Sequence, residues 1–235
     1  MLANGTAYPE ATVEARRYRL RIINACQARF LNLQLYVDDG SSDGITLDSH
    51  MKPTNRPGPN FLVIGTEGGF LPHPVRVESD RPFNAHSLSG SLITAPAERW
   101  DLLIDFKGFA GKKLILYNDA PAPFPGGDPL NDYFPGAPDN SAQPQPGFGP
   151  NTRQILRFKV VPATGKDGPL HITEDTDLTP DLTPFLVPPG TAVQNGVLHL
   201  PPGVPVRQLT LNETFDGYGR LIQLLGTNQR VDGGF

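Results

Sequence analysis

The chain has 235 residues, 20 of them Lys or Arg and 24 Asp or Glu, for a formal net charge of −4. This length can bury a sizeable core in one large or two small domains, and the mildly negative balance argues against a phosphate-neutralising surface, so nucleic acid is not an expected partner. No apolar run approaches the roughly 18 residues of a membrane-spanning helix, so a membrane is not expected either.

The 25 glycines and 26 prolines exceed a fifth of the chain, against about 12% for the pair in ordinary proteins. Such a composition suits short strands and tight turns. The single cysteine, Cys26, excludes an internal disulfide and leaves the redox compartment open. The opening Met1–Glu10 has neither a basic nor an apolar leader region, so no export signal is expected in this stretch and the localisation stays unknown.

Strand signals begin early. Tyr18, Leu20 and Ile22 alternate with Arg17, Arg19 and Arg21, which places the apolar set inward and leaves the arginines for solvent or interdomain contacts. The period recurs at Leu31, Leu33, Leu35 and Val37, between Asn32, Gln34 and Tyr36. Phe61–Ile64 runs into a glycine turn, Gly65-Thr66-Glu67-Gly68-Gly69. Leu102–Phe106, Leu114–Tyr117 and the alternating Leu156, Phe158 and Val160 follow. No window carries a helical stripe over three turns. Many short, half-buried strands predict an all-β sandwich.

Two stretches interrupt this rhythm. Residues 119–150 hold proline and glycine too densely for ladder hydrogen bonds and read as a long loop. Residues 161–205 read as an extended, acidic, proline-punctuated connector. Beyond them, Val206–Leu211 and Leu221–Leu225 predict a hairpin joined through Phe215–Gly219. A lone hairpin is marginal in water, so this end reads as the opening strands of an incomplete domain.

Chemistry-bearing motifs are sparse. His50, His73, His86, His171 and His199 form no His-x-His or His-x-x-x-His pair, and Cys26 has no Cys-x-x-Cys partner, so no metal ligands are expected within the chain. Cys26 reads as a small buried hydrophobe. The acids Glu174, Asp175, Asp177 and Asp181 fail the calcium-loop pattern at Pro180 and Leu186 and read as a solvated linker. Glu67, Glu98, Asp101 and Asp105 would have to meet across a cleft to act as a hydrolytic pair. No serine sits in a Gly-x-Ser-x-Gly elbow, so no catalytic residue is assigned. Asn4-Gly5-Thr6 and Asn212-Glu213-Thr214 match the short glycosylation pattern.

Whole segments carry more information than single residues. Asn4–Pro9, Tyr18–Ala25, Arg29–Leu33, Ile64–Pro72, Ala95–Phe106, Leu116–Ala120 and Asp216–Arg220 occur in an order that resembles multicopper oxidases of the spore-coat laccase and bilirubin oxidase type. The resemblance implies a cupredoxin-like Greek-key β-sandwich at 1–160 as the middle of three domains, a connector at 161–205, and the first strands of the third domain at 206–235.

In that family His-x-His pairs and a His-Cys-His run bind copper in the outer domains. None of these motifs occurs here, so the resemblance implies copper in the intact parent enzyme and none bound by this chain. It also implies that the missing first and third domains are partners. A small aromatic or metal-ion substrate would be oxidised while dioxygen is reduced to water. Phe124, Pro125 and Gly126 are the expected lining of a substrate rim. Family members are often exported or sit on the spore coat. The alternative reading is a stand-alone binding or scaffolding β-sandwich without catalysis.

Overall fold

The computed structural model describes residues 1–127, 132–134, 151–165, 167–168, 171–179, 190–195, 197–206 and 208–227, with the side chains of residues 193, 198 and 227 outside the description. Most of the loop expected at 119–150 therefore lies outside the described residues. The chain divides into two compact units, Met1–Thr183 and Pro184–Phe235.

The first unit opens with β1 (Leu2–Ala3) and β2 (Thr6–Ala7), paired around an Asn4-Gly5 turn. Both turn residues have positive φ, 51° and 78°, the geometry that favours Asn-Gly in two-residue hairpins. Then come β3 (Glu10–Glu14), β4 (Arg17–Ile23), β5 (Leu31–Val37), β6 (Phe61–Thr66), β7 (Gly69–Val77), β8 (Leu92–Thr94), β9 (Arg99–Asp105), β10 (Lys113–Asn118) and β11 (Gln154–Val161). They form a five-stranded sheet, β3-β11-β10-β5-β8, and a four-stranded sheet, β4-β9-β6-β7. The chain crosses between the sheets repeatedly, as a cupredoxin-like Greek-key sandwich requires. Pairing is antiparallel except between β3 and β11.

Period-2 alternation builds the core. Leu33 and Leu35 of β5, Phe61 and Val63 of β6, Leu102 and Ile104 of β9, and Leu114 and Leu116 of β10 meet between the sheets. Each such side chain contributes about 1.5–3 kcal/mol when fully buried. Phe106 is fully buried, edge-on to Tyr18 at 5.8 Å and tilted against Phe158 at 5.2 Å.

The alternation misleads on the opposite face of β5. Asn32, Gln34 and Tyr36, expected on the polar side of a half-buried strand, are 0%, 0% and 2% exposed. The segment 38–60 folds back over Tyr36, while Asp119 binds Asn32 and Gln34, and Arg81 O and Ser91 N bind Asn32. Gly58 N donates to Leu35 O at 2.7 Å, and a side chain at Gly58 would meet that same carbonyl at 2.9 Å. Ile45 and Leu47 pack on Tyr36, Ile115 and Tyr117 as a second apolar cluster.

A strap covers part of the other outer face. The acidic segment around Glu174, expected as a solvated linker, carries Leu178 into contact with Ile64 and Leu103. Leu178 N donates to Pro72 O at 2.8 Å. Upstream, Asp167 accepts from Arg17 N at 3.1 Å and pairs with Lys107 at 2.5 Å. Residues 161–183 of the expected connector thus fall in the first unit.

The arginine stripe is correspondingly less free than its pattern suggests. Arg17 donates to Ile172 O at 2.9 Å, and Arg19 forms a bidentate pair with Asp101 at 2.8 and 2.6 Å. Arg21 remains mostly in solvent, with Asp101 at 3.9 Å and a side chain 77% exposed.

Among its described residues the second unit holds two hairpins, β12 (Ala192–Gln194) with β13 (Val197–His199) and β14 (Leu209–Phe215) with β15 (Leu221–Thr227). The turn of the latter is fixed by the Asp216 carboxylate, which accepts from Tyr218 N and Arg220 N at 2.9 Å each. Every residue of β14 is exposed, Leu211 at 89% and Phe215 at 70%. Among the described residues no helix is long and apolar enough to cross a membrane.

Candidate functional site

Aromatic and buried polar groups converge where β10 gives way to the proline-rich loop. The peptide bonds Ala122–Pro123 and Phe124–Pro125 are cis, and Gly127 N closes a turn onto Pro123 O at 2.7 Å. The Phe124 ring lies parallel to Phe30 at 4.3 Å and 9°, and tilted against Phe83 at 5.0 Å and 53°. Offset or tilted ring pairs of this kind add about 0.5–1.5 kcal/mol beyond area burial. Of the three residues expected at a rim, Phe124 packs half-buried in this trio while Pro125 and Gly126 face solvent. Phe30 and Phe83 were not singled out by the sequence.

Beneath the rings sits a carboxylate hub. Asp119 Oδ1 accepts from Asn32 Nδ2 at 2.7 Å and Gln34 Nε2 at 2.6 Å, and Oδ2 accepts from Phe83 N at 2.8 Å. Tyr36 OH donates to Gln34 Oε1 at 2.6 Å, and Ser91 N donates to Asn32 Oδ1 at 2.8 Å. Burial raises the Asp119 carboxyl above the usual carboxylate range, opposed by its bonds to Asn32 and Phe83 N and by Arg153. Burial likewise lifts the Tyr36 hydroxyl well above its ordinary value, helped by Asp119.

A second anchor pins the loop farther along. Asp132, 8% exposed, binds Arg153 through Oδ2 at 3.1 and 2.7 Å. Its Oδ1 faces Arg29 at 3.3 Å and accepts from Thr152 at 2.8 Å. Arg29 also donates to Ala120 O at 2.9 Å, and Arg153 lies 3.5 Å over the Phe134 ring. Burial works against the Arg153 charge, yet Tyr117 and Asp132 hold its pKa above the ordinary value. Burial pushes the Tyr117 hydroxyl up to about 12, with Arg153 pulling the other way.

A separate groove of about 500 Å³ opens on the four-stranded sheet, lined by Arg19, Arg21, Ile23, Phe70, Arg99 and Asp101 among others. Its charges are paired within the chain: Arg19 with Asp101 at 2.6 Å and Arg99 with Glu67 at 2.5 Å. Glu98 Oε2 caps Ala95 N at 2.7 Å, and Asp105 caps Lys107 N at 3.0 Å. All four acids considered for a hydrolytic pair are therefore held by an arginine or a backbone amide, a poor arrangement for proton transfer.

Among the described residues no three His, Cys, Asp or Glu side chains are grouped to hold a metal ion. The five histidines are all exposed. Cys26 is half-buried rather than buried, and just beyond β4 its backbone N–H donates to Asn24 Oδ1 at 3.0 Å. Partial burial raises its thiol pKa, against the pull of Arg29.

No protein-family model matches the chain. The laccase of Bacillus stratosphericus is 31% identical over 231 residues, covering 96% of this chain and 31% of that protein. The laccase of Bacillus subtilis (strain 168) is 37% identical over 120 residues, 51% of this chain and 17% of the relative. Multicopper oxidase LPR1 of Arabidopsis thaliana is 31% identical over 132 residues, covering 56% and 17% respectively. The solved McoA multicopper oxidase of the hyperthermophile Aquifex aeolicus overlaps 83% of this chain and 32% of its own at 23% identity and TM-score 0.43, a likeness too slight to add weight. The chain thus spans 17–31% of the length of these curated relatives. With a laccase aligned along nearly all of its residues, and with an all-β cupredoxin-like fold, this chain belongs to the laccase-like multicopper oxidases.

Proposed function

We propose that the chain is the middle cupredoxin domain, with the opening hairpin of the third, of a laccase-like multicopper oxidase. The intact enzyme would couple one-electron oxidation of phenols, tetrapyrroles or metal ions to reduction of dioxygen to water. This part would hold the copper-bearing domains in register rather than bind copper. The observation that carries the reading is the alignment of 96% of this chain onto 31% of one laccase.

Two features support it. The β14–β15 hairpin presents Leu211, Phe215 and Leu225 to solvent at 89%, 70% and 67%, which suits strands awaiting the rest of a sandwich. The described histidines, cysteine and acids do not gather into a set that fits copper. In this reading Phe124, Pro125 and Gly126 line the approach to the electron-accepting site, and the Phe30–Phe124–Phe83 surface suits flat aromatic substrates.

Copper titration of the purified chain tests the brace role. The expected result is no stoichiometric blue absorption band and no oxygen consumption with a phenolic dye. The flanking genomic sequence should encode His-x-His upstream and His-Cys-His downstream. A stoichiometric blue site, or unaided oxygen uptake, would overturn the reading.

A further inference from the structure

Strand β4 lies at one edge of its sheet, paired with β9 on one side and, among the described residues, with no strand on the other. Its even-numbered residues carry the rungs to β9, a register fixed by the flanking bonds from Phe106 N to Arg16 O and from Asn24 N to Glu98 O. The odd-numbered residues therefore turn their N–H and C=O groups away from the sheet. Arg17 N is taken by Asp167 Oδ1 at 3.1 Å. Among the described residues no hydrogen bond reaches the outward backbone groups of Arg19, Arg21 or Ile23.

The side chains along this edge divide by face. Tyr18, Leu20 and Ile22 turn to the core but are only partly buried against it. Arg19, Arg21 and Ile23 line the outer groove. Arg19 is held by both oxygens of Asp101 and lies over the Phe70 ring at 5.6 Å. Arg21 stands 3.9 Å from Asp101, beyond hydrogen-bond length, and Ile23 is 60% exposed. These charges select what can cover the edge. Two copies paired in full antiparallel overlap would set Arg19 against Arg21, and like charges directly opposite one another repel. The strap shows the favourable case: the Asp167 carboxylate accepts the first outward N–H with one oxygen and pairs with Lys107 through the other.

We propose that the β4 edge is a docking site for an extended amphipathic strand, acidic on the face that meets Arg19 and Arg21 and apolar on the face that meets Tyr18, Leu20 and Ile22. Such an added strand gives the open N–H and C=O groups their partners, while its alternate side chains supply the selectivity. Its source rests on the function proposed above. This chain covers 31% of the Bacillus stratosphericus laccase, and the strand is assigned to the part of the parent oxidase outside it.

Amide hydrogen exchange tests the edge. In the 235-residue chain the amides of Arg19, Arg21 and Ile23 should exchange freely while those of Leu20 and Ile22 are protected. A short peptide alternating Glu and Val should slow exchange at the three open amides by about tenfold or more. The same peptide with methylated backbone amides keeps its charge but cannot pair. Equal binding of the two would reduce the site to plain charge attraction and sink the proposal. Arg21→Glu, at a position 77% exposed, should weaken the unmodified peptide by about tenfold; unchanged affinity would remove the charge selection. Protection that rises with protein concentration in the absence of peptide would hand the edge to a second copy and refute the assignment. In the intact oxidase the three amides should be protected with no peptide added. Open amides there, alongside a successful peptide experiment, would overturn the source of the strand and leave the edge chemistry standing.

Discussion

Replacing Asp132 with alanine should destabilise the sandwich about as much as a large truncation of its apolar core. The carboxylate is shared by Arg153 at 2.7 Å and Arg29 at 3.3 Å, and the three side chains are only 11–13% exposed. The substitution leaves two nearly dry guanidinium groups without their common anion. Removing one partner of a buried ion pair costs about 3–5 kcal/mol, because the remaining charge stays desolvated. For a unit of this size, about 2–4 °C is lost per kcal/mol, so Tm should fall by about 6–20 °C. Trp100 is the only tryptophan and lies in β9, so its fluorescence follows the sandwich specifically. A double variant, Asp132→Ala with Arg153→Met, should recover part of the loss by removing a stranded cation together with its partner. A single-variant Tm within about 2 °C of the parent would refute the argument, for it would mean that water already reaches these groups.

Other outcomes follow from the same geometry. Gly90→Ala should cost about 1–3 kcal/mol in urea unfolding, because a Cβ there would press on Asn32 Cγ at 2.7 Å and Nδ2 at 2.8 Å; a neutral result would show that Asn32 can yield without disturbing the hub. The Asp39 carboxyl, held down by bonds to Thr46 and Ser41, should titrate at about 2 rather than at 3.8. Its contribution to stability is present above pH 3.8 and disappears as the pH falls through 2. Carboxyl NMR titration decides this, and a midpoint at the ordinary value would contradict the bonding.

The legible and illegible parts of the candidate site differ in sequence separation. Phe124 entered through the family resemblance, and its neighbours Pro125 and Gly126 with it. Phe30 lies within the Arg29–Leu33 segment of the resemblance but carried no assigned role, and Phe83 stood out in no motif. The Asp119 hub was hidden for a clearer reason: Asn32, Gln34 and Tyr36 alternate with leucines, and that pattern ordinarily means a solvent face. The burial of Tyr36 depends on the return of segment 38–60, and that of Asn32 and Gln34 on a carboxylate 87 residues from Asn32. The Asp132 clamp reaches across 103 residues to Arg29, a distance over which no local pattern carries information.

Strand identity was a local matter. Period-2 alternation in β4, β5, β9 and β11, and turn residues such as Asn4-Gly5 and Gly68-Gly69, act through backbone sterics and side-chain direction within a few residues, so the amino-acid order alone determined an all-β chain with these strands. Which faces were finally dry was a global matter. The fold-back over β5, the strap carrying Leu178, and the pairing of buried charges at Asp119 and Asp132 all depend on segments far apart in the chain meeting in space. Desolvation is a property of the whole packed surface, and only the tertiary structure decides where water is excluded.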